Sequence, residues 1–235
     1  MFETIGEFFS QMFSSRVWGI LVDSFPRLLG YFLRVSIPLT VLSFLLALVI
    51  SVAVAMIQYA QVPVLRQICR FYIWMVRGTP LLVQLYMVFY GLPSLGVMLD
   101  AFPCAVLVFG FNEGAYMAES MRGALEAVPR GQLEAGACVG LRYLQIMRHI
   151  VLPQAFRIAF PALSNSLISM VKGTSLAASV TVMEMFRQAQ VINGRVYDTL
   201  GLYTEVALIY LLFCTLLTFL QRRGEKRLSR FGGVK

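Results

Sequence analysis

Charged residues are scarce in this chain: Asp, Glu, Lys and Arg make up 14% of its 235 residues, whereas a soluble domain carries roughly 25%. Hydrophobic residues make up 58% of the chain, and its mean hydropathy is +0.74. A soluble core cannot bury this much apolar surface, but a lipid bilayer can. The composition therefore excludes an ordinary soluble domain and predicts a protein that crosses a membrane several times.

Residues from which metal sites and nucleophilic enzymes are built are also few. The sequence has one histidine, His149, and four cysteines that form neither a Cys-x-x-Cys pair nor a cluster with the histidine. It has no G-x-x-x-x-G-K loop for nucleotide phosphates. We therefore expect no catalytic residue, no metal site, no disulfide framework and no cofactor bound by this chain.

Five apolar stretches approach the length of about 20 residues that a membrane-spanning helix needs. They are residues 35–57, 78–99, 101–121, 158–183 and 206–220. Pro80, Gly91 and Pro93 limit the helical part of the second stretch. The predicted fold is an all-α membrane protein in which residues 28–222 form the transmembrane domain with five helices.

Basic residues are distributed unevenly between these stretches. Three arginines lie between the first two stretches, five between the third and fourth, and six Lys or Arg residues follow the last, against four on the opposite side. Basic residues gather at the cytoplasmic edge of a membrane, so this bias predicts an outer N-terminus and a cytoplasmic C-terminus. The same rule accounts for the net charge of +8 without a nucleic-acid partner.

The two ends of the chain flank this domain. Residues 1–27 lack the basic start and continuous apolar core of a cleaved signal. Their apolar residues recur at helical spacing at Phe2, Ile5, Phe9, Met12 and Phe13. We favour an amphipathic helix along the outer membrane surface, with a disordered tail as the alternative. Residues 223–235 are predicted to form a basic cytoplasmic tail.

The interval at residues 123–156 is too long for a simple connection between helices. Pro129 is expected to start a helix, Pro153 to end one, and Gly140 to divide the interval into two amphipathic pieces. The predicted apolar side consists of Leu133, Ala137, Leu141, Leu144 and Met147. Such a pair of helices is suited to docking against a partner, although a self-contained surface loop has the same composition.

Polar side chains recur within the third and fourth apolar stretches. The two stripes are Asn112, Tyr116 and Glu119 on the third stretch, and Asn165, Ser169 and Lys172 on the fourth. Ionisable residues inside a membrane usually face a cavity or a partner, and Glu113 lies beside the first stripe. The stripes, together with Glu113, predict a water-filled translocation path, although hydrogen bonds that only pack the helices together would give the same pattern.

The interval contains a motif of known spacing. Its residues are Glu134, Ala135, Gly136, Gly140, Ile150, Leu152 and Pro153. This pattern resembles the EAA signature of ABC importer permeases, with Gly136 in place of an alanine. The segment Arg77-Gly78-Thr79-Pro80-Leu81-Leu82, with Gln84-Leu85 after it, is similar to one in polar amino-acid permeases. Residues 163–172 and 186–190 resemble the L-cystine members of that family most closely.

The resemblance implies a type I permease fold and a non-catalytic transport subunit in the bacterial inner membrane. It implies a second permease copy, either identical or a sister chain, two cytoplasmic subunits that bind ATP and Mg²⁺, and an extracytoplasmic solute-binding protein. The EAA residues given above would couple the permease to the ATPase. L-cystine is the preferred cargo, with glutamine, arginine or an opine as alternatives. A channel or membrane scaffold without an ATPase is the alternative from another class.

The sequence departs from the family pattern at the residue that follows Lys172 and at Glu113. Where the family usually has Lys-Asp, this chain has Lys172-Gly173, and Glu113 occupies a position that is usually small or hydroxylated. A pair shares the cost of buried charge, whereas a single charge does not. We therefore expect Glu113 to replace the missing aspartate as the ionic partner of Lys172.

Overall fold

The computed structural model describes residues 15–229, a range that is helical and contains no β-strand. The first helices are α1 (Ser15–Tyr31), α2 (Ile37–Tyr59), α3 (Pro63–Arg77) and α4 (Leu81–Tyr86). The next are α5 (Ala101–Glu126), α6 (Arg130–Cys138), α7 (Tyr143–Ile146), α8 (Leu152–Gly173), α9 (Met185–Val196) and α10 (Thr199–Ser229). Short π- or 3-10-helical turns lie at Phe32–Ser36, Met87–Gly91, Leu92–Leu95, Met147–Val151 and Thr174–Val180. The all-α prediction is confirmed.

The first two helices form one continuous rod. The π-helical turn Phe32–Ser36 joins α1 to α2, so that Trp18–Tyr59 is a single helix of 42 residues. At 1.5 Å per residue this rod is about 60 Å long, twice the thickness of the hydrocarbon core. The predicted boundary at residue 27 therefore falls within a helix. The apolar residues predicted to form an amphipathic helix at positions 2–13 lie outside the described residues.

The length and composition of the described helices identify two or three membrane crossings. Within residues 15–229, Trp18–Tyr59 and Thr199–Leu228 are long and apolar enough to cross a membrane. A third crossing is added if Tyr143–Val180 and Met185–Val196, which meet at a bend of 53°, count as one. The predicted total of five crossings stays a prediction, because α5 is 26 residues long but carries four charged residues.

The second apolar stretch has the interruption that its prolines and glycine predict. After α3 ends at Arg77, the chain turns and continues as α4, a π-helical turn and a 3-10 turn, together Leu81–Leu95. This piece is shorter than a complete crossing. Helix α3 precedes it directly, within the interval that the sequence assigns to a cytoplasmic connection.

Helix α5 lies at the centre of the fold, against α2, α3, α4 and α8. Two of its glycines allow α2 to approach closely. A Cβ added to Gly110 would lie 2.6 Å from Cδ2 of Leu46, and one added to Gly114 would lie 3.0 Å from Cγ2 of Ile50. Small residues at such positions let helix backbones pack tightly where no hydrophobic driving force exists between membrane helices. The rotation of α5, and so the direction of its polar stripe, follows from this contact.

The prediction that Pro153 ends a helix is wrong. The π-helical turn Met147–Val151 leads directly into α8, and Pro153 lies in the first turn of that helix. Proline is tolerated there because the first turn does not need its missing N–H. The chain therefore runs as one helical stretch from Tyr143 to Val180. The boundaries expected at residues 123 and 156 fall inside α5 and α8.

Candidate functional site

The polar stripe of α5 is bound to the turn between α3 and α4. Asn112 is 6% exposed, and its Nδ2 donates a hydrogen bond of 3.1 Å to Oε1 of Gln84. The Nε2 of Gln84 in turn donates to the backbone oxygen of Val76 and to Oγ1 of Thr79, both at 2.7 Å. Asn112 therefore connects α5 to the turn around Gly78, with which the second apolar stretch begins.

The other two residues of this stripe lie beside Arg77, the last residue of α3. The guanidinium of Arg77 lies 5.1 Å from the ring centroid of Tyr116, and its Nη1 lies 3.9 Å from Oε2 of Glu119. Arg122 binds Glu119 at 3.1 Å and Glu126 at 2.7 Å. One face of α5 thus presents an aromatic ring and alternating charges to α3.

Sequence reasoning did not include Arg77 or Gln84 in the path. Both residues belong to the segment that resembles polar amino-acid permeases, so a signal for them was available. The sequence alone could not show that they lie close to Asn112, Tyr116 and Glu119, because more than twenty residues separate α3 from α5.

A cavity of about 1110 Å³ opens next to Glu119. We call it the arginine cavity, because four of its lining residues are arginines. Its lining includes Gln58, Tyr59, Arg66, Arg70, Glu119, Arg122, Glu126, Arg130 and Tyr143. These residues come from the end of α2, from α3, from the second half of α5 and from the starts of α6 and α7. The cavity therefore lies where the central helices meet the predicted coupling loop.

The polar stripe of α8 faces a different neighbour, helix α10. The Nε2 of Gln221 donates a hydrogen bond of 3.3 Å to Oδ1 of Asn165, and Ser169 is exposed. Lys172 lines a second pocket of about 600 Å³, whose other lining residues include Ser175, Phe186, Tyr203, Tyr210 and Cys214. The rings of Phe186 and Tyr203 are stacked at 5.5 Å. This pocket, which we call the lysine pocket, combines one exposed cation with an aromatic wall.

The predicted ion pair between Glu113 and Lys172 is absent among the described residues. Glu113 instead shares a hydrogen bond with the hydroxyl of Ser166, and Lys172 points into the lysine pocket. Glu113 thus reaches α8 at Ser166, whereas Lys172 points away from α5 towards α9 and α10. The hypothesis that Glu113 replaces the missing aspartate is therefore wrong.

A buried carboxylate that the sequence did not suggest stabilises the bend after α8. Glu184 is 0% exposed and caps α9 by accepting a hydrogen bond of 2.7 Å from the backbone N–H of Arg187. The hydroxyl of Ser36, in the π-helical turn between α1 and α2, donates to the same carboxyl group at 3.3 Å. Glu184 thus joins two irregular turns that are far apart in the sequence.

The predicted coupling loop is a short helix closed by a glycine turn. Helix α6 begins directly after Pro129, as predicted, and ends at Cys138. Gly140 has φ +79°. Its N–H donates to the oxygen of Ala137 at 3.0 Å, and the N–H of Leu141 donates to the oxygen of Gly136 at 3.1 Å. These two bonds form a Schellman motif, which favours glycine at the left-handed position.

Gly136 is buried against the helical stretch that follows. A Cβ added to it would lie 3.0 Å from Cγ1 of Ile146 and 3.0 Å from Cδ1 of Ile150. The two isoleucines therefore occupy the space that the methyl group of an alanine would need at this position. Ile150 and Leu152 pack with the central core, whereas Pro153 is exposed.

The outer face of the loop is exposed and partly apolar. Glu134 and Ala135 are exposed, Val139 is 75% exposed, and Leu144 is 78% exposed. Leu133 and Leu141, by contrast, pack against the core. The predicted apolar side is thus divided, because Leu144 points outward. We refer to Glu134, Ala135, Val139 and Leu144 as the docking face.

Comparison with known proteins gives consistent matches over nearly the whole chain. Residues 47–230 match the model of a family described as "Binding-protein-dependent transport system inner membrane component". An L-cystine transport system permease protein of Bacillus subtilis (strain 168) is 42% identical over 215 residues, which cover 91% of this chain and 92% of the relative. An octopine transport system permease protein of Rhizobium radiobacter is 38% identical over 186 residues, covering 75% and 76%. A solved structure of an amino acid ABC transporter with histidines superposes with a TM-score of 0.79 at 29% identity, covering 87% of this chain and 97% of the solved chain.

Proposed function

The chain belongs to the family of inner membrane components of binding-protein-dependent transport systems, and from this membership we propose that it imports a polar amino acid, preferably L-cystine. Members are the membrane subunits of ABC importers and are not enzymes; ATP is hydrolysed by a partner ATPase. The observation that carries the choice of cargo is the 42% identity to an L-cystine permease over more than nine-tenths of both chains.

The cargo fits the charges that the structure makes accessible. L-cystine carries two carboxylates and two ammonium groups. We assign Lys172, in the lysine pocket, and Arg77, beside Tyr116, to the carboxylates. Glu119 and Glu113 are assigned to the ammonium groups, and Asn112, Asn165 and Ser169 to hydrogen bonds along the path. Charge-assisted hydrogen bonds of this kind discriminate strongly between cargo and apolar molecules.

The docking face is the proposed contact with the ATPase. Two observations support this contact: Val139 and Leu144 are exposed apolar side chains outside the core, and Glu134 and Ala135 belong to the EAA-like motif. The proposed assembly contains two ATPase subunits that bind ATP and Mg²⁺, a second permease copy and an extracytoplasmic solute-binding protein. In this orientation the docking face and the C-terminus are cytoplasmic, and the N-terminus is outside.

Uptake by reconstituted vesicles tests the choice of cargo. Vesicles containing the permease and its ATPase, supplied with the solute-binding protein, are offered labelled L-cystine, L-glutamine, L-arginine and octopine at equal concentrations. We expect ATP-dependent accumulation of cystine above the other three. Preferential accumulation of octopine or arginine would show that the cargo is not cystine, while the assignment as an ATP-driven importer would still hold. Equal entry of all four without ATP would indicate a channel.

A further inference from the structure

The arginine cavity contains more positive charge than its own residues neutralise. It is lined by four arginines and two glutamates, and both glutamates are bound to Arg122. Among residues 15–229, Arg66, Arg70 and Arg130 form no ion pair within 4.0 Å. The net charge of the cavity lining is therefore positive, which favours an anionic ligand.

A buried donor in the same cavity also lacks a partner. Gln58 is 8% exposed, and its Nε2 donates no hydrogen bond to any described group. A buried amide without a partner costs free energy, and this one belongs to the lining of the cavity. A ligand with acceptor oxygens would satisfy it.

The surroundings favour a lipid over a free amino acid. A zwitterion bound at Arg66, Arg70 and Arg130 would need a carboxylate for its ammonium group, but among residues 15–229 none of these arginines has an Asp or Glu oxygen within 4.0 Å. On α3, the helix that carries Arg66 and Arg70, the apolar side chains of Leu65 and Ile68 are 46% and 59% exposed, and such an apolar surface suits a helix in contact with lipid. Tyr59 and Tyr143, which belong to the lining, are residues typical of a membrane interface.

We propose that the arginine cavity binds the phosphate of an anionic phospholipid of the cytoplasmic leaflet, held by Arg66, Arg70 and Arg130 and by the amide of Gln58. Arginine is well suited to phosphate because its planar guanidinium donates two parallel hydrogen bonds. Basic pockets between membrane helices on the cytoplasmic side are known to hold such head groups. The inference rests on the proposed function only for the orientation, which places this cavity on the cytoplasmic side.

Native mass spectrometry of the purified full-length permease with its ATPase tests the site. The complex is reconstituted in nanodiscs of phosphatidylcholine with one-fifth phosphatidylglycerol, and the lipids retained after release are identified. We expect the wild type to retain phosphatidylglycerol selectively and the double variant R66Q/R70Q to retain about thirtyfold less, since each arginine near an anionic surface contributes about one kcal/mol. The matched control R222Q/R227Q removes two exposed arginines of α10 outside the cavity, and it should retain as much lipid as the wild type.

Three results would overturn the proposal. The first is that the wild type retains phosphatidylcholine and phosphatidylglycerol equally, or that R66Q/R70Q and R222Q/R227Q lose phosphatidylglycerol equally. The second is complete displacement of the lipid by millimolar inorganic phosphate, which would assign the site to a soluble anion. The third is loss of the ATPase from R66Q/R70Q with lipid retention unchanged, which would assign the cavity to the partner protein. Lipid retention requires neither cargo nor ATP, so a failure of the cargo assignment would leave this result unaffected.

Discussion

Gly136 and Ile150 pack so closely that a Cβ on the glycine would lie 3.0 Å from Cδ1 of the isoleucine. The two residues belong to opposite ends of the EAA-like motif, so this contact joins the two ends of a segment that spans twenty residues. The contact fixes α6 against the helical stretch that leads into α8. We therefore propose that movement of the docking face is transmitted through this contact to the helix that carries Asn165, Ser169 and Lys172.

The substitution Gly136→Val is predicted to weaken this contact. Its branched side chain meets Ile146 and Ile150 at a distance that a real Cβ rarely shows, and overpacking of this kind typically costs about 1–3 kcal/mol. The control Gly131→Val lies on the same helix with open space around it. Thermal unfolding of the purified protein should show a lower midpoint for G136V than for G131V; equal midpoints would contradict the packing described here.

The turn after α6 requires the left-handed conformation of Gly140. Gly140→Ala places a side chain at φ +79°, which costs roughly 1–2 kcal/mol. We expect G140A to reduce ATP-dependent uptake, because the Schellman motif positions the docking face. The control is G131A, which adds the same methyl group at a helical position and should leave uptake unchanged. Wild-type uptake by G140A would show that the geometry of this turn does not matter for coupling.

Glu113 should be energetically coupled to Ser166 and not to Lys172. Residues in contact show interaction energies of about 0.5–3 kcal/mol in double-mutant cycles, whereas separated residues are additive within about 0.5 kcal/mol. A cycle of Glu113→Gln with Ser166→Ala should therefore be non-additive, and a cycle of Glu113→Gln with Lys172→Met should be additive. Unfolding free energies measure both cycles, and the reverse pattern would restore the ion-pair hypothesis.

Arg77 is predicted to require its guanidinium group and not only its charge. A lysine keeps the charge near Glu119, but it lacks the planar group that lies over Tyr116. Since a cation–π contact contributes about 0.5–2 kcal/mol, Arg77→Lys should lower cystine uptake by about tenfold. Arg27→Lys is the control, because Arg27 is exposed, pairs with Asp23 on the same helix and lines neither the arginine cavity nor the lysine pocket. Equal uptake by R77K and the wild type would remove Arg77 from the path.

The main architecture could be read from the sequence because it depends on local patterns. The apolar stretches at 35–57 and 206–220 lie within the continuous helix Trp18–Tyr59 and within α10, since a run of apolar residues of that length has few other stable conformations in a membrane. Pro129 and Gly140 begin and close α6 as predicted, because each acts through its own backbone geometry.

Features that depend on packing were predicted less well. The pairing of Glu113 with Lys172 was wrong because the direction of each side chain follows from how the helices meet, as Gly110 and Gly114 show for α2 and α5. Pro153 continues a helix because a π-helical turn precedes it, and no sequence pattern marks such a turn. Leu144 fits the apolar periodicity but points outward, since periodicity does not distinguish a core from a docking surface.

The most direct test of the account is ATP-driven uptake of labelled L-cystine into vesicles containing the permease with its ATPase, measured for the wild type and for Leu144→Glu. A buried charge on the docking face should separate the ATPase from the permease. The account predicts accumulation by the wild type only when ATP is present on the side of the ATPase, and its loss in L144E together with loss of the co-purified ATPase. Undiminished ATP-driven accumulation by L144E, with the ATPase still bound, would contradict it.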